Sequence, residues 1–249
     1  MNLNIPESFY KKRKADIKIP RNQSILVLSD IHCPYHDVEA LTKAMSSIPN
    51  PDSVILLGDV LDFHRISKYP NDKDTLTFTE ELIIGKQLLY GIRERFPNSN
   101  IYYIEGNHEV RLDAYIQRNA NELADLPSLR MEALLGLDEL EIPYLKNGFI
   151  HCGDMTFLHG HEMRGIGGVN PSRKLFAKMH KSAMCGHLHR PDVFYTRDGA
   201  GKLLQCHVIG HLGEPTPRYH PRNDWQHGYA IVNVSKNGYI RVENQIIEP

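Results

Sequence analysis

Val54-Ile55-Leu56-Leu57-Gly58-Asp59-Val60-Leu61-Asp62-Phe63-His64 is the stretch that decides the fold class. Its first four residues are apolar with no polar face, bounded by Pro51 before and Gly58 after, the pattern of a strand buried on both sides. Asp59 and Asp62 then fall in the turn beyond the strand's C-terminal end. In open α/β sheets ligands bind at that end, which makes Asp59 the residue around which the other polar clusters are arranged. An Asp in that position is also a good helix cap, so its meaning depends on the clusters around it.

The same pattern recurs on both sides. Ser24 to Leu28 is a buried run ended by Ser29-Asp30-Ile31-His32, and Ile101 to Ile104 is another, ended by Glu105-Gly106-Asn107-His108-Glu109. Val38, Leu41, Ala44, Met45 and Ile48 predict a helix over 37–48; Leu82, Ile83, Leu88, Leu89 and Ile92 predict a second, from a Thr79 cap to Phe96. Residues 64–77, with Pro70-Asn71-Asp72, read as an exposed loop, and about 110–140 as a helical insertion broken at Pro127-Ser128 and Gly136, either a lid or a dimer surface. Phe149 to Cys152 and Met155 to Leu158 flank Gly153-Asp154 as a hairpin that runs into His159-Gly160-His161. Asn170 caps a basic helix with Pro171 at its first position, and Ala183-Met184-Cys185 leads into Gly186-His187-Leu188-His189. Strands at 193–197, 203–209, 229–234 and 239–247 close the chain. Alternating α/β followed by antiparallel β, with no repeat or linker, predicts a single domain over 1–249 with a basic arm, 1–20, carrying Lys11-Lys12-Arg13-Lys14.

Composition sets bounds. The 249 residues can bury a sizeable core without covalent staples, and 41% hydrophobic with 24% charged residues is ordinary for a soluble globular protein. A net charge of -1 gives no global electrostatic case for nucleic acid, so any such case is local. Cys33, Cys152, Cys185 and Cys206 lack CxxC pairing, and neither a secretory leader nor an apolar run of about 18 residues is visible; the expectation is a reducing, cytoplasmic setting and no membrane. Fourteen histidines, most of them between His151 and His227, exceed ordinary usage, and imidazole is the commonest neutral metal ligand.

Five predicted strand ends offer Asp30 with His32, Asp59 with Asp62, Asn107 with His108, His159 with His161, and His187 with His189. Alternation puts Asp30 and His32 on one side if the backbone stays extended, and likewise His187 and His189. Carboxylates, an amide oxygen and imidazoles together suit zinc, manganese, iron or nickel; calcium or a typical magnesium site needs an all-oxygen set.

Asp30-x-His32, Gly58-Asp59-x-x-Asp62, Gly106-Asn107-His108-Glu109, His159-Gly160-His161 and Gly186-His187-x-His189, in that order, resemble the calcineurin-like metallophosphoesterase family over residues 30–189. The resemblance implies an α/β fold, a four-layer α/β/β/α sandwich of two mixed β-sheets, with two divalent metal ions at the strand ends, manganese first and zinc, iron or nickel as alternatives. Carried over motif by motif, one ion takes Asp30, His32, Asp59 and His189, and the other takes Asp59, Asn107, His159 and His187. Asp59 then bridges, together with a shared water or hydroxide that attacks phosphorus. His108 sits beside the substrate as a donor and general acid, with Glu109 in support of it. Asp62, His64, Arg65, His161, Arg164 and Arg190 are candidates for supporting or substrate contacts. Asp62-Phe63-His64 stands where the family's protein phosphatases have Asp-Arg-Gly, which weighs against a phosphoprotein substrate.

Three functions remain open at this point. The first is phosphodiester hydrolysis on DNA, RNA or a nucleotide, supported by Arg164, Arg173, Lys174, Lys178, Lys181 and Arg190 around the last two histidine motifs. Tyr195, Tyr219 and Trp225 are then candidates to stack on bases. The second is a small-molecule or protein phosphomonoesterase, and the third a non-catalytic metal-binding interaction protein, against which the intact donor set argues. A homo-oligomer is also open.

Overall fold

The computed structural model describes residues 16–68, 76–217 and 221–248. They form β1 (Ile17–Ile19), β2 (Gln23–Leu28), α1 (Val38–Ser46), β3 (Ser53–Leu56), α2 (Phe78–Arg95), β4 (Asn100–Ile104), α3 (Val110–Asn119), α4 (Met131–Leu135) and β5 (Tyr144–Leu145). There follow β6 (Ile150–Cys152), β7 (Met155–Phe157), α5 (Pro171–Met179), β8 (Ala183–Cys185), β9 (Asp192–Arg197), β10 (Leu203–Val208), β11 (Gly228–Val234) and β12 (Ile240–Ile246).

Parallel strands need a long crossover, and α1 and α2 supply it between β2, β3 and β4, which pair side by side in parallel. These three are the centre of a sheet ordered β12-β11-β2-β3-β4-β5; the other sheet is ordered β1-β6-β7-β8-β10-β9. Both are mixed, with β11 antiparallel to β2 and β10 parallel to β8 but antiparallel to β9.

The layers follow from where alternate residues go. In β2, Leu26 and Leu28 pack with Ala40, Leu41 and Ala44 of α1 and Leu89 and Ile92 of α2, whereas Ile25 and Val27 pack with Met155, Phe157 and Met184 of the second sheet. A third cluster holds Leu175 of α5 with Ala183, Cys185, Cys206 and Val208. Three apolar interfaces therefore separate four layers, helices, sheet, sheet and helix, as the motif resemblance implied. Double-sided burial is why these strands read as continuous apolar runs.

Local signals differ from expectation at several points. Ile17 to Ile19, inside the expected basic arm, is a strand parallel to β6 with Ile19 buried; three residues between Asp16 and Pro20 are too few for a period to show. Lys11 to Lys14 lie outside the described residues. The cap of helix α2 lies two residues before the expected one, because Thr77 accepts from Glu80 N at 3.2 Å while the Glu80 carboxylate accepts from Thr77 N at 2.7 Å. Asn170 does precede α5, but at φ 53° its side chain makes no capping bond, and Pro171 alone sets that start. The expected insertion at 110–140 is helical only in α3, α4 and two single turns, and Met131, Leu135, Leu137 and Leu140 are buried in the first cluster. That end is core rather than lid. Of the expected loop 64–77, His64–Ile66 forms a one-turn helix with Ile66 buried, and Pro70-Asn71-Asp72 lies outside the described residues. The four cysteines are buried free thiols, and among the described residues no helix is long and apolar enough to cross a membrane.

Candidate metal centre

Strand register brings three polar turns to one level. Leu28 lies opposite Leu56, and Leu56 opposite Tyr103, so the chain leaves β2, β3 and β4 side by side. Beyond the sheet the first two turns stay paired through Asp30 N to Gly58 O (3.1 Å), His32 N to Asp59 O (2.9 Å) and Cys33 N to Val60 O (2.8 Å). The backbone there is not extended. Asp30, His32, Asp59, His187 and His189 have φ of 53°, 51°, 51°, 67° and 57°, so the left-handed turns, not strand alternation, aim their side chains. A non-glycine residue in that region costs on the order of 1–3 kcal/mol, held in place here by the surrounding packing.

Two glycines allow the close approach. A Cβ on Gly106 would lie 2.2 Å from Asp59 Oδ1, and one on Gly186 would lie 1.9 Å from Ser29 Oγ and 2.4 Å from Asp30 Oδ2. No side chain fits at either place, which fixes glycine next to both carboxylates.

The donor atoms converge in three groups, Asp30 with His32 and His189, His32 with Asp59 and His108, and Asp59 with His159 and His187, each with one ligand atom per residue within 4.8 Å of the others. The protons show what such groups require. His159 Nδ1 lies 2.7 Å from Leu57 O, a pure acceptor, so Nδ1 carries the hydrogen and a neutral His159 presents a lone pair at Nε2. That lone pair faces Asp59 Oδ2 at 3.2 Å and Asn107 Oδ1 at 3.1 Å, so three acceptors meet at one point. The other side repeats this. His32 Nδ1 donates to Asp62 Oδ1 at 3.1 Å, leaving its Nε2 facing His189 Nε2 at 3.2 Å, and His189 Nε2 is 3.2 Å from Asp30 Oδ1. Converging lone pairs need a proton or a cation between them.

Electrostatics point the same way. Burial alone would raise Asp30 and Asp59, yet His189 beside the first and His159 and His108 beside the second hold both carboxyls below the usual range. For His159 burial pulls downward, but Asp59 and Asp30 push it up to about 10. His187 is lowered to about 4 by burial and by His159. With Asp30, His32, Asp59, His159 and His189 buried and Asn107 and His187 half-buried, the carboxylates, amide oxygen and imidazoles form a mixed oxygen and nitrogen set that fits divalent cations, and a cation at either convergence point replaces the proton otherwise needed there.

Around the donors, Asp62 accepts from His32 and has its Oδ1 3.1 Å from His108 Nδ1. Burial would raise Asp62, and these two histidines more than reverse it. Glu109 does something other than support His108. Its buried carboxylate accepts from Asp59 N, Val60 N, Leu61 N, Gly106 N and Tyr103 OH, and so holds the Asp59 turn against β4. Burial, then Asp59, push its pKa up against those donors.

Arg111 was not anticipated. It donates to Asp62 O at 2.7 Å and to His108 Nε2 at 2.9 Å; because guanidinium only donates, His108 carries its hydrogen on Nδ1, directed at Asp62 O 2.7 Å away. Its spacing from His108, three residues on at the start of a helix, was the available signal. His211 stacks on His189 with ring centres 4.9 Å apart, and Trp225, a sequence candidate for stacking on bases, meets His189 edge-on at 4.2 Å.

The remaining candidates spread outward. His161 lies 5.4 Å from His159 and 6.4 Å from His187 between ring centres, and His64 Nδ1 is 4.0 Å from Asp62 Oδ2. Arg65 and Arg164 are exposed. Arg190 donates to Gly168 O and pairs with Asp224, and Lys174 donates to Gly167 O, so two cations of the expected basic patch clamp the glycine loop. Tyr195 is exposed, and Tyr219 lies outside the described residues.

A solved Streptococcus pneumoniae TIGR4 protein, described as a "predicted phosphoesterase", shares 13% identity with the chain, covering 90% of it and 98% of the other, with a TM-score of 0.37. A structure described as "a putative diadenosine tetraphosphatase" shares 15% identity over 93% of this chain and 98% of the other, with a TM-score of 0.42. No curated protein matches. The protein-family model described as calcineurin-like phosphoesterase matches residues 23–233, a span that runs from β2 into β11 and takes in every donor from Asp30 to His189. By that match the chain belongs to the calcineurin-like phosphoesterase family.

Proposed function

We propose that this chain is a binuclear metal-dependent phosphodiesterase acting on nucleotides or nucleic acid. Asp30, His32, Asp59 and His189 hold one ion; Asp59, Asn107, His159 and His187 hold the other; manganese is the first candidate, and its mixed donor set suits zinc, iron or nickel as well. The observation that carries the proposal is the double convergence of lone pairs on either side of Asp59, at His159 Nε2 and at the facing His32 and His189 nitrogens. Two divalent cations so held supply positive charge to the phosphoryl oxygens and lower the pKa of an attacking water.

The chain's own residues do the rest. Asp62 orients His32 and His108 through their Nδ1 atoms, which keeps both Nε2 atoms facing the cleft. Arg111 brings a fixed positive charge against the phosphoryl oxygens as negative charge builds there. Water oxygen joins phosphorus and gives up a proton to solvent, the P–O ester bond breaks, and the leaving oxygen takes a proton; His108 Nε2 carries it only after exchanging the Arg111 hydrogen bond for that proton. Glu109 keeps the Asp59 turn from moving as the ions bind.

Asp59→Asn tests the assignment, because an amide oxygen can still accept from His108 N, 2.8 Å away, while the charge between the two donor sets is lost. With manganese and a bis-nitrophenyl diester, turnover should fall by about a hundredfold or more with the near-UV circular dichroism unchanged. Wild-type turnover in the variant would remove Asp59 from the mechanism.

A further inference from the structure

A cleft of about 320 Å³ opens beside Asn107 and runs along one face of α3. Arg111, Ala114 and Arg118 recur at intervals of three and four on α3, so a single helix face forms one wall, with Asn107 in the turn before the helix and Ile66 and Lys68 also lining the cleft. Among the described residues that line it, three are cations, Lys68, Arg111 and Arg118, and none is an acid or an aromatic. The charge is extended as well as dense: seven residues separate Arg111 from Arg118, about 10 Å along a helix axis.

The two arginines are held in place. Arg111 is fixed at the inner end by Asp62 O and His108 Nε2, and Arg118 at the outer end donates Nε to Ala114 O of its own helix at 3.0 Å. Arg118 therefore lies too far along the helix to serve the group that Arg111 meets at the metal centre. Its position fits another anion farther out on the same substrate. The cleft's described lining is cationic, so what it recognises is phosphate charge.

We propose that this cleft is a subsite for a second phosphate group of the substrate, beyond the one cleaved. The proposal rests on the phosphodiesterase reading above and narrows its substrate class to phosphoesters carrying a further phosphate, whether in a nucleotide's polyphosphate chain or in a nucleic-acid strand.

Three substrates separate the outcomes with manganese present: the dinucleotide TpT with one phosphate, its 5′-phosphorylated form pTpT with two, and thymidine triphosphate. In the wild type, kcat/KM for at least one substrate with more than one phosphate should exceed that for TpT by about tenfold, the scale of one charge-assisted hydrogen bond. Arg118→Ala should shrink that advantage to about twofold, mainly through KM, whereas replacing exposed Lys236, in the turn between β11 and β12, with alanine should leave it. An advantage confined to pTpT identifies a strand as the source, and one confined to the triphosphate identifies a polyphosphate chain. Equal kcat/KM for all three, or loss of the advantage in Lys236→Ala as well, would overturn the subsite.

A binding arm separates this from failure of the hydrolase reading. Inorganic tripolyphosphate titrated into chelator-treated protein at low salt should bind about tenfold more weakly to Arg118→Ala. Such weakening without turnover of any substrate would overturn the hydrolase reading and keep the anion site. Unchanged tripolyphosphate affinity would overturn the site itself.

Discussion

Replacing Glu109 with glutamine tests how the Asp59 turn is built. The carboxylate is 2% exposed and accepts five hydrogen bonds, at Oε2 from Asp59 N (2.9 Å) and Gly106 N (2.8 Å), and at Oε1 from Val60 N (2.9 Å), Leu61 N (3.1 Å) and Tyr103 OH (2.7 Å). Four of those donors are backbone N–H groups, which cannot reverse roles. In Glu109→Gln one oxygen becomes an NH2 that must face donors, and its better orientation strands Asp59 N and Gly106 N. At about 1–3 kcal/mol for each buried group left unsatisfied, the loss is about 2–6 kcal/mol, and relief of the buried charge moves the expectation to the lower half of that range. Urea unfolding in chelator reads the stability. Manganese affinity, read by calorimetry, should fall about 10- to 100-fold, because the turn that carries Asp59 is no longer held. A variant that matches the wild type within about 0.5 kcal/mol in stability and in manganese affinity would refute the role given to Glu109.

Two further predictions avoid the metal centre. Buried His207 has its pKa lowered to about 4 by desolvation, against 6.5 for the free side chain, so between those values the unfolded chain binds the extra proton and stability is lost as pH falls through that window. At about 1.4 kcal/mol per pH unit its contribution is roughly 3 kcal/mol; His207→Gln should make the acid limb of an unfolding-versus-pH curve in chelator correspondingly shallower, and an unchanged limb would contradict this. His180 ends α5 at φ 51°, a left-handed position that glycine takes without strain, so His180→Gly should raise stability by about 0.5–1 kcal/mol and Tm by about 1–4 °C. A lower Tm would show that its edge contact with Phe176 outweighs the strain.

Much of the sandwich was legible because β2, β3 and β4 are buried on both faces and end abruptly in polar residues, and such runs stand out without long-range information. The donors were legible for the same reason, since each sits just past a strand. How they converge was not. Alternation assumes an extended backbone, and five of the donors lie in left-handed turns that only the packing of neighbouring turns enforces. Glu109 was visible as a residue, but its partners are about fifty positions away at Asp59, Val60 and Leu61. Arg190 and Lys174 looked like free cations because each donates to a loop carbonyl, whose position no side-chain pattern encodes, and Asp224, the ion-pair partner of Arg190, lies 34 positions away. At Thr77 the signal was present, with Glu80 three residues on, and Thr79 competed with it only by lying nearer the apolar face.

Anomalous diffraction from manganese-soaked crystals, with elemental analysis of the wild type and Asp59→Asn, tests the central claim most directly. The account predicts two manganese peaks about 3.5–4 Å apart, one among Asp30, His32, Asp59 and His189 and the other among Asp59, Asn107, His159 and His187, with lower metal content in the variant. A single peak, no peak within these donors, or full metal content without the Asp59 charge would contradict it.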